Sequence, residues 1–129
     1  MELLEVGQEA RGDAVVVLAS GDVDSITVDK LTAQLSAALD VAASHPARLV
    51  VVDLMSVNFF GSAGLNAVLE CHEAGAAAGT SVRLVADHGE VLEPIKVTEL
   101  DRILDIYPTV SDALQHNKSA KDAEDTERR

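Results

Sequence analysis

Arg48-Leu49-Val50-Val51-Val52-Asp53-Leu54-Met55-Ser56-Val57-Asn58-Phe59-Phe60-Gly61-Ser62-Ala63-Gly64-Leu65 passes from a valine-rich run, through a mixed stretch, to a serine set among small residues. Its first seven residues read as a central strand: β-branched residues follow one another without the alternation of a half-exposed strand, so both faces are to be covered. Asp53 is expected at the carboxyl end of that strand. From Ser62 or Ala63 to about Ala78, Leu65, Val68, Leu69, His72 and Ala76 recur at helical spacing, and Gly79-Thr80 stops the run.

Toward the N-terminus, Leu3 to Ala10 carries Leu4 and Val6 among polar residues, Gly12-Asp13 supplies a turn, and Ala14-Val15-Val16-Val17-Leu18-Ala19 is apolar and β-branched. A strand, a tight turn and a buried strand follow from this pattern. Gly21-Asp22-Val23-Asp24 punctuates the second strand. Thr27 is a candidate N-cap with Asp29 in the first helical turn, where the helix dipole favours a negative charge. Leu31, Leu35, Ala38, Leu39 and Ala42 then mark the apolar face of a helix ending near Ser44-His45-Pro46.

Toward the C-terminus, Ser81 to Ala86 reads as a strand and Glu90 to Ile95 as a short helix interrupted by Pro94. Ile103-Leu104-Asp105-Ile106 reads as a short strand, and Thr109-Val110-Ser111-Asp112 as the capped start of a last helix. The order β-β-α-β-α-β-α-β-α, opening with a hairpin and then alternating, predicts an α/β fold: a single domain with a mixed sheet and helices packed largely on one face, a sandwich of two layers. The domain is placed at residues 1–116. Residues 117–129 contain no large apolar side chain and are read as a disordered tail.

The core has few aromatics to draw on, since the chain holds two Phe, one Tyr and no Trp; Val, Leu, Ile and Ala must build it. The lone Cys71 cannot form an intramolecular disulfide and the first residues lack a secretory pattern, which predicts a reducing cytoplasmic setting. Charged residues break every apolar run, so no membrane span is expected. The net charge of -12 resides before the tail, because the tail's four basic and four acidic residues cancel. An acidic domain repels nucleic acid and anionic lipid and attracts basic protein surfaces.

Ser62, read locally, either caps a helix or offers an accessible hydroxyl over the free N–H groups of the first turn, with Gly61 and Gly64 permitting close approach. The surrounding residues resemble the STAS domains, named for sulfate transporters and anti-sigma-factor antagonists. Their central motif runs approximately Asp-Leu-x-x-Val-x-Phe-hydrophobic-Asp-Ser-Ser/Thr/Ala-Gly-Leu. It is matched by Asp53, Leu54, Val57, Phe59, Phe60, Ser62, Ala63, Gly64 and Leu65. Gly21-Asp22-Val23-Asp24 is similar to the family's Gly-Glu-Leu-Asp, and the similarity continues through residues 98–104 and 111–114.

The resemblance implies a partner switch. An unphosphorylated antagonist binds an anti-sigma factor with serine kinase activity and frees the sigma factor, and phosphorylation at the position of Ser62 releases it. The implied docking surface comprises Asp22, Asp24, Thr27, Phe60, Gly61, Ala63, Gly64 and Asn66. No cofactor is implied, and the default state is a monomer. Gly61 stands where the family usually has Asp, so the alternative is a STAS scaffold or sensor module that works without phosphorylation.

Other chemistries fit less well. A serine hydrolase elbow needs glycine where Phe60 stands, and no histidine is placed by sequence to activate Ser62. His45, His72, His88 and His116 are dispersed, and adjacent Cys71 and His72 point in different directions on one helix, which is not metal-site spacing. The P-loop ending of Lys followed by Ser or Thr is absent from the segment around Ser62.

Overall fold

The computed structural model describes residues 3–12 and 14–115, so the expected tail at 117–129 lies outside the described residues. The described chain folds as β1 (Leu4–Arg11), β2 (Ala14–Val23), α1 (Val28–Ala42), β3 (Leu49–Phe60), α2 (Ser62–Ala78), β4 (Ser81–Val85), α3 (Gly89–Val97), a 3-10 turn at Leu100–Arg102, β5 (Asp105–Tyr107) and α4 (Val110–Gln115). The five strands lie side by side in chain order. β1 and β2 are antiparallel, and every later pairing is parallel. This is the mixed α/β sheet that the sequence implies.

The valine runs of β2 and β3 are central because they are covered on both sides. Val15, Val17, Val50 and Val52 face a large core shared with Leu31 and Leu35 of α1, Leu65 and Val68 of α2, and Val91 and Ile95 of α3. Val16 and Val51 face the other way, into a smaller core with Tyr107 and Ala113. Three helices therefore cover one face, as expected, while α4 covers part of the opposite face. Arg83 fixes α4 there. Only 2% exposed, it donates from Nη1 to the Ala113 carbonyl at 2.5 Å and lies 5.8 Å from the centre of the Tyr107 ring.

Several boundaries differ from expectation for identifiable reasons. β2 does not end at Gly21; it continues to Val23 through irregularities in its pairing with β3, and Gly21 at φ 119° makes the adjustment that a side-chain-bearing residue resists. β3 likewise continues to Phe60, so Asp53 lies mid-strand and not at the carboxyl end. Asp53 faces Val85, the last residue of β4, so the part of β3 from Leu54 to Phe60 projects beyond β4.

On α2 the buried stripe is Gly64, Leu65, Val68, Cys71 and Gly75, not the one through His72 and Ala76. Close approach selects small residues there: a Cβ on Gly75 would meet the Thr80 carbonyl oxygen and Val82 Cγ2, each at 2.8 Å. α3 runs through Pro94 without interruption, since the proline forgoes only a bond to the carbonyl of exposed Glu90. The short strand β5 begins at Asp105, with the 3-10 turn before it. α4 starts as anticipated, with Thr109 Oγ1 accepting from the Asp112 amide at 3.0 Å.

Candidate functional site

The carboxyl ends of β2 and β3 sit together, the place where parallel α/β sheets commonly present ligand-binding loops. Asp22 pairs with Phe59 and Val23 with Phe60. The Gly61 amide then donates to the Val23 carbonyl at 3.1 Å, tying the Asp22–Asp24 segment to the start of α2. Two motifs more than thirty residues apart thereby form one surface, with Asp22, Ser62 and Asn66 exposed and Asp24, Thr27, Gly61 and Ala63 half-buried.

The turn leading into α1 is held by Asp24. Its Oδ1 accepts from the amides of Ile26 at 2.9 Å and Thr27 at 3.0 Å. Thr27 Oγ1 returns the bond by accepting from the Asp24 amide at 3.0 Å, and donates to the Asp22 carbonyl at 2.7 Å. This is a reciprocal capping box in which Asp24 satisfies the free amides. Thr27 is the residue before the helix, as expected, but its hydroxyl points back into the turn instead of capping α1.

The Thr27 amide above all, with the Ile26 amide and the Thr27 hydroxyl, holds the Asp24 carboxyl below its ordinary 3.8, against a smaller opposing effect of desolvation. A depressed carboxyl pKa adds stability that is complete above the unfolded value and is lost as pH falls through the folded value. Asp24→Ala is therefore expected to lower Tm at neutral pH, with the difference from the parent narrowing as pH falls below 3.8; melts across pH 2–7 check this. A difference that stays constant through acid would contradict the assignment.

Ser62 is the first residue of α2, and Gly61 is its N-cap, in place of the expectation that Ser62 itself caps the helix. Gly61 has no side chain to offer the first turn, which contains no acidic residue. Intrahelical bonding begins with the Leu65 amide donating to the Gly61 carbonyl at 3.1 Å. The amides of Ser62, Ala63 and Gly64 thus precede the ladder, and the positive end of α2 lies beside the Ser62 hydroxyl.

Two residues of the expected docking set turn inward. Phe60 is 2% exposed and belongs to the large core. Gly64 is buried, and a Cβ there would meet Phe60 Cε1 at 2.7 Å and Val23 Cγ1 at 2.9 Å; its smallness serves helix-on-strand packing, not the approach of another molecule. The outward apolar residues are instead Phe59, 52% exposed, and Ile26, 87% exposed. Adjacent residues on a strand face opposite ways, so one of the two phenylalanines had to point outward. The ring of Phe59 folds over Gly61: a Cβ at 61 would lie 3.0 Å from Phe59 Cε2 and 3.2 Å from Cζ.

The projecting end of β3 is supported from the side that β4 leaves open. His88, at the start of α3, has its Nε2 2.8 Å from the Val57 carbonyl oxygen, which requires Nε2 to be the donor. Cys71 is buried and its thiol pushed up to about 11 by desolvation, so it is a packing residue and not a nucleophile. Among the described residues no group of His, Cys, Asp and Glu is arranged to hold a metal, and no helix is long and apolar enough to cross a membrane.

The STAS domain profile matches residues 7–113, and no curated protein sequence matches the chain. Among solved structures, an anti-sigma factor antagonist from Mycobacterium paratuberculosis superposes with a TM-score of 0.77 at 32% identity, covering 86% of this chain and 91% of that one. One from Thermotoga maritima, described as a putative anti-sigma factor antagonist, gives 0.73 at 19%, covering 85% and 92%. The Bacillus cell fate determinant SpoIIAA in its phosphorylated form gives 0.65 at 17%, covering 88% and 100%, and at that identity speaks for the fold alone. With the matched profile spanning both halves of the site and the sheet between them, the chain belongs to the STAS domain family.

Proposed function

We propose that this chain is a non-enzymatic anti-sigma-factor antagonist. It docks on an anti-sigma factor with serine kinase activity, and phosphorylation of Ser62 ends the contact, so that sigma-factor-dependent transcription follows the state of Ser62. The observation that carries this reading is the position of Ser62: exposed, first in α2, and tied through Gly61 and Val23 to the acidic Asp22–Asp24 segment. The name borne by the 32% identical Mycobacterium paratuberculosis relative points the same way.

In the transfer, Ser62 Oγ attacks the terminal phosphorus of the kinase's ATP. The new O–P bond forms as the bond to ADP breaks, and a base of the kinase takes the hydroxyl proton. The product carries about -1.5 to -2 charge beside the amides that begin α2. Those amides suit an anion, so the folded chain accepts the group. A packed contact does not: the phosphate would need to be desolvated opposite the remaining phosphates of the nucleotide. The chain acts in this cycle as a monomer in the cytoplasm.

A second reading, a STAS scaffold or sensor module independent of phosphorylation, is favoured by one feature, the bare Gly61 immediately before Ser62. The two readings separate in a displacement experiment with purified anti-sigma kinases encoded in the same genome, each loaded with its sigma factor. The antagonist reading expects this chain to release sigma factor, and expects prior incubation with ATP to abolish release by the parent but not by Ser62→Ala. Release that ignores ATP supports the scaffold reading. Failure of every kinase to respond removes the antagonist assignment.

A further inference from the structure

We infer that the partner recognises this face chiefly through the Phe59 ring, seated on Gly61, together with Ile26, and that it offers an apolar socket rimmed by Lys or Arg. The inference rests on the reading of the chain as an anti-sigma-factor antagonist and specifies the chemistry of that partner. Phe59 and Ile26 are large apolar side chains left 52% and 87% exposed, beside a turn whose Ile26 and Thr27 amides are bonded to Asp24. Asp22 is the strand neighbour of Phe59, and Asp24 lies two residues before Ile26. Apolar anchors within a polar rim are the usual anatomy of a protein contact, and aromatic anchors carry much of its energy.

Charge identifies the occupant. Residues 22–29 and 57–66 contain Asp22, Asp24 and Asp29 and no Lys, Arg or His. Asp24 is held in its charged form by the amides of its own turn. A second copy of this chain would bring like charges together, whereas a basic rim on an anti-sigma factor complements them.

Gly61 is what permits the ring to lie there. Its backbone, at φ -94° and ψ -168°, is ordinary extended chain that any residue adopts, so conformation does not require glycine. The nearest neighbours of a Cβ at 61 are two ring atoms of Phe59, at 3.0 and 3.2 Å, with the Val23 carbonyl oxygen next at 3.8 Å. A side chain there requires the Phe59 ring to shift, while the extended backbone at 61 accepts it without strain. Gly61 and Phe59 thus act as one specificity element, in which an aromatic face occupies the space that a side chain at 61 would fill.

The test has one arm on the free protein and one on the complex. In the free protein, the Gly61 amide and α-proton resonances are expected to carry a ring-current shift that Phe59→Leu removes; coincident spectra would overturn the seating. In the complex, purified anti-sigma kinases of the same genome are titrated with the parent, Phe59→Ala, Ile26→Ala, Gly61→Asp and Asp22→Asn. Phe59→Ala and Gly61→Asp are each expected to weaken binding by about tenfold or more, mainly through faster dissociation. Ile26→Ala is expected to act in the same direction. Asp22→Asn is expected to slow association and flatten its salt dependence. Parent-like affinity in both Phe59→Ala and Gly61→Asp, with sigma factor still released, would overturn this inference and leave the functional reading standing. Absence of binding by the parent to every kinase would overturn both.

Discussion

Ser62→Asp is expected to raise the melting temperature slightly while weakening anti-sigma binding about a hundredfold, and the opposite signs are the informative part. On the free chain the new carboxylate enters the first turn of a 17-residue helix that has no acid there and whose N-cap is glycine. Interaction with the helix dipole at such a place is worth roughly 0.3–1 kcal/mol. In the complex the same charge must be desolvated at a contact surface without a designed partner. The cost of an unpaired charge at an interface is about 2–5 kcal/mol, and a hundredfold loss corresponds to about 2.7 kcal/mol. Thermal melts and titration calorimetry on one preparation measure both. A fall in stability together with binding would mean that the substitution damages the fold, and unchanged binding would place Ser62 outside the contact.

Gly21→Ala is expected to be the most damaging small substitution in the chain, at roughly 2–4 kcal/mol. Gly21 sits at φ 119°, a conformation that L side chains rarely adopt. A Cβ there would lie 2.1 Å from the backbone oxygen of Leu3, an atom that cannot rotate away. The same oxygen accepts from the Asp22 amide at 3.0 Å, so relief of the clash pulls on the segment that carries Asp22 and Asp24. Leu4, beside it on β1, is 1% exposed in the main core. Gly7→Ala is the matched control: it has open space around the new Cβ and is expected to stay within about 0.5 kcal/mol of the parent. Equal melting temperatures for the two variants would contradict this account of the β2 irregularity.

The central strands were legible because their valines are buried on both faces, which leaves no alternation to misread. α1 was legible because Leu31, Leu35, Ala38 and Ala42 keep strict helical spacing. The ends of β2 and β3 were not: Gly21, Ser56 and Asn58 look like loop residues, and the strands carry them only by pairing irregularly with each other. The buried face of α2 was misread because hydropathy weighs large side chains, whereas close packing on the sheet selected Gly64, Cys71 and Gly75. The face chosen by α4 depends on Arg83, a residue whose charge reads as surface in sequence.

At the site, Ser62, Asp22 and Asp24 were visible as polar residues in turn-forming surroundings. Their union depends on the pairing of Asp22 with Phe59 and on the bond from Gly61 to Val23, which no local pattern encodes. Phe59 and Ile26 escaped for the opposite reason. An isolated large apolar residue is assigned to the core by default, and only the strand's alternation, with Phe60 turned inward, reveals that Phe59 faces out.

The most direct test of the switch is phosphate incorporation followed by intact mass, with the parent and Ser62→Ala each incubated with ATP and every anti-sigma kinase of the same genome. The parent is expected to take up one phosphate from a kinase it binds, and Ser62→Ala none. Binding without any phosphate uptake by the parent, or equal uptake by Ser62→Ala, would contradict it.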